Sequence, residues 1–196
     1  VSAWQQPLAD ASATTQGATQ LQEILAAART TTGPVARTIA STVPGAIERL
    51  EELVSQDTEK SMEAAADAFP ATSIPGIVLG QIGAINHLRE LGLDVENAEI
   101  VGHSQGIIGV HAVVNPQEAL AIAILMGTAA SVVHGASDSR AHMLSVRGLD
   151  KGDVEKHVQG DAAVTVINGR RAIVISGTPA DLEATEAAIQ TYADRH

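Results

Sequence analysis

The pentapeptide Gly102-His103-Ser104-Gln105-Gly106 constrains this chain more than any other stretch. It sets a serine between two glycines, where an apolar run (Ala98-Glu99-Ile100-Val101) meets a helical run opening with Ile107-Ile108-Gly109-Val110. Strand, tight turn and helix in that order predict an elbow that holds the serine hydroxyl exposed, with flanks free of side chains so that the backbone can bend sharply. The chemistry such a residue suggests is acyl transfer through an acyl-serine. The plain alternative is a Gly/Ser loop that closes a strand-helix connection and carries no chemistry.

Composition narrows the classes. At 196 residues the chain can bury a proper core and fits one domain, or one domain plus a small subdomain. With no charged-then-apolar leader and no uninterrupted apolar run long enough to span a bilayer, neither targeting nor membrane insertion is expected, and a cytoplasmic setting is the default. Twelve Lys and Arg stand against 23 Asp and Glu, a formal charge of −11 that repels a nucleic-acid backbone. The absence of cysteine excludes disulfides, thiolate metal sites and a cysteine nucleophile, so serine must do any covalent work. Trp4, Phe69 and Tyr192 are the only aromatic residues, leaving a core of Ala, Val, Ile and Leu and no stacking platform for bases or sugars.

Residues 1–70 read as helices joined by polar breaks. One carries Leu21, Ile24 and Leu25, a second runs from Pro44 to Val54, and Thr30-Thr31-Thr32-Gly33-Pro34 reads as a linker or turn. From Pro75 to Leu91 a broad apolar face marks a helix with Gly92 as its stop, feeding the elbow strand. Asn115-Pro116 ends the elbow helix, and Gln117 to about His134, apolar all round, reads as a buried helix followed by a loop from Gly135 to Arg140. Thereafter the period changes. Met143–Val146 reads as a strand, Asp150–Val158 as a short helix, and Ala163–Ile167 and Ala172–Ile175 as two strands joined at Asn168-Gly169 by a type I′ turn. Thr178 as N-cap, Pro179 and Asp181 begin a last helix. Strand, helix, hairpin and helix make the skeleton of a ferredoxin-like subdomain.

Two stretches together resemble the malonyl/acetyl transacylases, the acyltransferases of fatty-acid and polyketide synthases. They are Ile100–Gly106 and Val166–Pro179. The aliphatic Ile107-Ile108 after the pentapeptide is similar to the acetyl-transferring domain of bacterial type I fatty-acid synthases, since malonyl-type domains more usually continue with glutamate. The resemblance implies an α/β fold: a parallel-sheet, hydrolase-like acyltransferase core over residues 1–140 with its N-terminal helices, and an inserted ferredoxin-like subdomain over 141–196, incomplete at its C-terminal end. It implies that Ser104 is the acyl-accepting nucleophile and the backbone N–H of Gln105 an oxyanion donor. The partners it implies are an acyl-carrier protein domain bearing phosphopantetheine and the other domains of a homo-oligomeric synthase. Coenzyme A enters as the thioester substrate, and no resident cofactor or metal is expected.

Malonyl-transferring relatives carry an arginine in the helix after the elbow, where this chain reads Ile124-Leu125-Met126-Gly127-Thr128. Met126 and Gly127 are thus candidate substrate-binding residues of a pocket for a neutral acyl group, acetyl above malonyl. The family's histidine base and early glutamine find no counterpart, and the chain looks like a piece of a longer polypeptide. His111 lies seven residues along the elbow helix, about 10 Å away at roughly 1.5 Å per residue, too far to serve Ser104 directly. His103 reads as a packed or hydrogen-bonded residue, and His134, His142 and His157 as exposed ones. Arg170-Arg171 reads as a solvated turn, or as a contact for a coenzyme A phosphate or an acidic carrier protein. Two other functions stay open. One is an esterase whose triad is completed by His157 with Asp138 or Asp153, and the other is a scaffold segment with a vestigial serine.

Overall fold

The computed structural model describes residues 5–41, 45–66, 70–136 and 142–195. The chain divides into two compact units, Val1–Ala136 and Ser137–His196.

The first unit is helical. Its elements are α1 (Gln5–Ser12), α2 (Thr15–Ala40), α3 (Ala46–Leu53), α4 (Thr58–Ala66), α5 (Pro70–Glu90), α6 (Gly106–Val114) and α7 (Pro116–Ala136). Thr14 caps α2 by accepting the Gly17 N–H at 3.0 Å. The Thr30–Pro34 stretch is no linker: α2 runs through it, with Pro34 inside the helix. Leu21, Ile24, Leu25, Ala28, Thr32, Gly33, Ala36 and Ala40 recur at helical spacing and are all buried, so packing outweighs the turn chemistry of the sequence and the N–H that Pro34 lacks. Thr30, Thr31 and Thr32 turn their hydroxyls onto the carbonyls of Ala26, Ala27 and Ala28.

At the centre lies α7, packed against α2, α5 and α6 with Leu120, Ala123, Ile124, Thr128 and Ser131 fully buried. Contrary to the sequence expectation, Pro116–Val133 is long and apolar enough by composition to cross a membrane. In this fold less than half of that window is buried: Leu120, Ala123 and Ile124 line the core while Ile122, Met126 and Val133 are exposed, so the helix is not buried all round as the sequence suggested. Helix α5 begins at Pro70, earlier than expected, and takes Pro75 into its interior. It stops as anticipated: Gly92 has φ +79°, with Gly92 N–H donating to Arg89 and Leu93 N–H to Leu88.

Residues 98–101 form no strand. A strand is stabilised by pairing with a neighbour, and the described residues of this unit contain no second one. Val101 is 87 % exposed, and the backbone N–H groups of Glu99 to Gly102 donate to no described residue. The expected parallel sheet is therefore absent from the described residues.

The second unit follows the predicted skeleton: β1 (His142–Arg147), α8 (Lys151–Glu155), β2 (Ala163–Gly169), β3 (Ala172–Gly177) and α9 (Pro179–Ala193). The strands form an antiparallel sheet in the order β1-β3-β2. Its inner side, Val146, Ile173 and Ile175, closes on Val154 of α8 and on Leu182 and Ile189 of α9. Thr178 caps α9 by accepting the Asp181 N–H at 3.2 Å while its hydroxyl donates to the Asp181 carboxylate. The hairpin departs from expectation. Asn168 and Gly169 lie in β2, Arg170-Arg171 form the connection, and none of the four has positive φ. Irregularities after Val164 and Ile167 shift the register, so a type I′ turn at Asn168-Gly169 is not needed.

Candidate active site

The elbow is present without its strand. Ser104 has φ +54°, the one non-glycine positive φ among the described residues, and its side chain is exposed. Such a conformation costs on the order of 1 kcal/mol or more for a residue with a Cβ and persists only when its surroundings impose it. They do so through the first turn of α6. Gly106 N–H donates to His103 O at 2.9 Å and Ile107 N–H to Ser104 O at 3.1 Å, drawing the chain back upon itself.

The two flanking glycines are not equivalent. A Cβ on Gly102 would stand 2.5 Å from the carbonyl oxygen of Gly106, so only glycine fits, whereas a Cβ on Gly106 would meet nothing within 4 Å. Gln105 precedes α6, and its side chain leaves the helix end uncapped to donate from Nε2 to Ile74 O in α5 at 3.1 Å. Its backbone N–H donates to no described residue. It is thus a donor unpaired among the described residues, at the positive end of the α6 dipole and next in the chain to Ser104.

An apolar groove of about 540 Å³ runs along one side of the elbow between α5 and α6. It is lined by Ile85, Leu88, Val95, Ile100, Val110 and Val113, with Gly102, His103 and Gly106 at its elbow end, but not by Ser104. The buried Oε1 of Gln81 has no partner among the described residues and abuts Gly109, where a Cβ would be 2.6 Å away. Met126 and Gly127 do not line this groove. Gly127 is buried and brings α7 against the start of α5, where a Cβ would stand 2.5 Å from Pro70 O, while Met126 is 48 % exposed. The start of α5 is what Gln105 and Gly127 share: one packs on Ile74, the other on Pro70, Ala71 and Pro75. Sequence reasoning missed Ile74, because a backbone acceptor leaves no mark in the sequence.

No described histidine bonds to Ser104. His103 is exposed and lines the groove, unlike the packed residue expected. His111 pairs with Glu118 at 3.1 Å. His157 is half-buried against Tyr192, ring centroids 4.6 Å apart, and its Nδ1 meets the backbone oxygen of Asp153 at 2.7 Å. The Asp153 carboxylate is held instead by Lys156 at 3.1 Å, so the Asp-His couple of an esterase does not form there. Asp138, His196 and the side chain of His134 lie outside the described residues. The hydrogen bond from Lys156 lowers the Asp153 carboxyl from its ordinary value against an opposing desolvation, with the Lys156 charge, a hydrogen bond from Tyr192 and the nearby His157 adding smaller contributions in the same direction.

No protein-family model and no curated protein matches the chain. Among solved structures, the acyltransferase domain of an iterative polyketide synthase in enediyne biosynthesis aligns at 28 % identity with TM-score 0.51, over 64 % of this chain and 33 % of that one. A malonyl-transacylase solved in complex with its type II polyketide synthase acyl-carrier protein aligns at 16 % identity with TM-score 0.50, over 81 % of this chain and 52 % of that one. The structural neighbours are acyltransferases. This chain spans between a third and about half of their lengths.

Proposed function

We propose that the chain transfers an acyl group through an ester on Ser104, from a coenzyme A thioester to the pantetheine thiol of an acyl-carrier protein. The observation that carries the reading is the positive φ of Ser104, which holds its hydroxyl exposed beside the unpaired N–H of Gln105. In the first half-reaction Ser104 Oγ attacks the thioester carbonyl, its proton passes to the departing sulfur, and the tetrahedral oxyanion is met by the Gln105 N–H. One such donor contributes on the order of 3 kcal/mol to the transition state. The carrier's thiol reverses the sequence. Neither step needs a resident cofactor. The two neighbours, one of them bound to a carrier protein, support transfer to a carrier.

Acetyl is the acyl group proposed. No lysine or arginine lines the apolar groove beside the elbow, and burying a malonyl carboxylate without a partner costs several kcal/mol. In this reading the chain is a segment of a cytoplasmic type I fatty-acid synthase, in which the unpaired Ile100-Val101 stretch would become a strand only if residues outside the described ones pair with it. The test is mass spectrometry after mixing with acetyl- or malonyl-coenzyme A, using the chain alone and a form extended at both ends. One acetyl group on Ser104 of the extended form, absent from Ser104→Ala, supports the reading; an unmodified protein at every substrate concentration refutes it.

A further inference from the structure

Arg29 and Arg37 stand eight residues apart on α2, about 12 Å along the helix at roughly 1.5 Å per residue, yet both line one cavity of about 380 Å³. The reason lies at Gly33. Arg37 folds back toward the start of its helix, as long helical side chains do, and its guanidinium passes over Gly33, 3.4 Å from the point that a Cβ there would occupy. It thus covers about half the distance to Arg29. Val54 and Gln56, in the connection between α3 and α4, also line the cavity. Gln22 of α2 pins that connection, donating from Nε2 to Gln56 O at 2.8 Å and to the Thr58 hydroxyl.

Donors predominate here. Arg29 is exposed and pairs with no described carboxylate, and neither the side-chain amide nor the backbone N–H of Gln56 donates to a described residue. Arg37 is engaged by Glu51 alone, at 3.3 Å from one terminal nitrogen. No described carboxylate lines the cavity, in a chain where acids outnumber basic residues almost two to one. Arg170 and Arg171 show the usual arrangement in this chain, since they share the Asp150 carboxylate, 3.5 Å from the Nε of each. Two guanidiniums with no acid between them repel each other, and an oxyanion seated between them removes that repulsion and occupies their open N–H groups. Phosphate suits this donor set best, because each guanidinium fork can grip two of its oxygens. The volume is within the range of small-molecule sites, about 300–1,000 Å³, and no aromatic residue lines the cavity to stack a base.

We infer that Arg29, Arg37 and Gln56 hold the phosphate group of a small, non-aromatic ligand. The site is separate from the elbow, for none of its residues lines the groove beside Ser104, and it does not depend on the acyl-transfer reading. The experiment titrates the full chain, in phosphate-free buffer, with glycerol 3-phosphate, inorganic phosphate and glycerol, read by calorimetry and by the NMR signals of the arginine Nε–H groups. Both phosphates should bind and glycerol should not. Arg29→Gln and Arg37→Gln should each weaken binding about tenfold or more, with Arg37→Lys, which keeps the charge but loses the fork, intermediate. R170Q/R171Q removes two charges from the second unit and should leave the affinity unchanged, and circular dichroism confirms that each variant is folded. Tighter binding of the ester than of inorganic phosphate supports a phosphorylated metabolite as the source; equal affinity supports the free ion, and the phosphate site stands in both cases. Absence of heat and of Nε–H shifts with both phosphates overturns the inference. So does unchanged affinity in Arg29→Gln and Arg37→Gln, or an equal loss in R170Q/R171Q, which would reduce the effect to net charge.

Discussion

The side-chain amide of Gln105 donates to the carbonyl of Ile74 at 3.1 Å, joining the elbow to a helix 31 residues earlier in the chain. The backbone N–H of the same residue donates to no described residue. One residue thus divides its groups, the side chain fixing the position of the turn and the main chain left as an open donor next to the serine.

Gln105→Ala separates those functions. It removes a neutral hydrogen bond worth about 1 kcal/mol, and urea denaturation should report a loss of that size. The backbone donor survives, so acetyl loading of Ser104 should fall well short of the roughly 10²–10³-fold loss that follows removal of an oxyanion donor. A full-sized kinetic loss with unchanged stability would contradict this division.

Gly102→Ala and Gly106→Ala should differ sharply. The first forces a Cβ to 2.5 Å from the Gly106 carbonyl and should lower stability by about 1–3 kcal/mol while moving Ser104 out of its φ; the second meets open space and should be neutral or slightly stabilising. Denaturant midpoints of the two variants, measured side by side, check it.

At Gly127 the same reasoning concerns helix packing. Alanine there places a carbon 2.5 Å from Pro70 O and 3.2 Å from the Pro75 ring, so α5 and α7 must move apart. We expect Gly127→Ala to destabilise by roughly 1–3 kcal/mol, whereas exposed Met126→Ala should cost far less. Comparable losses from the two would show that the α5–α7 contact is loose.

Asp153 gives a pH signature. Its pKa is lowered in the folded protein, so its contribution to stability is complete above the unfolded carboxylate value, about 3.9, and is lost as pH falls through the lower folded value. In an NMR titration the Asp153 carboxylate should titrate below the ordinary range and move upward in Lys156→Met. An unmoved titration would remove Lys156 as the main cause.

Legibility in the sequence followed the range of the forces involved. The Thr178–Asp181 cap and the Gly92 stop were readable because their partners lie within a few residues. The elbow was readable because Gly102 must clear Gly106, four positions on. The Thr30–Pro34 stretch misled because local turn residues say nothing of the buried stripe from Ala28 to Ala36 that keeps α2 continuous through them. The hairpin connection moved two residues because strand irregularities, set by pairing with β3, shifted the register.

Sequence alone determined the stop of α5 at Gly92, the start of α9 at Thr178 and which serine is lifted from the backbone, since each depends on steric limits or hydrogen bonds between near neighbours. Only the tertiary structure decided that Gln105 reaches Ile74, that Gly127 is a helix contact, that one aspartate gathers two arginines, and that Ile100-Val101 has no strand beside it among the described residues. Those outcomes depend on burial and on backbone groups far apart in the chain, whose free energy exists only once the elements have packed.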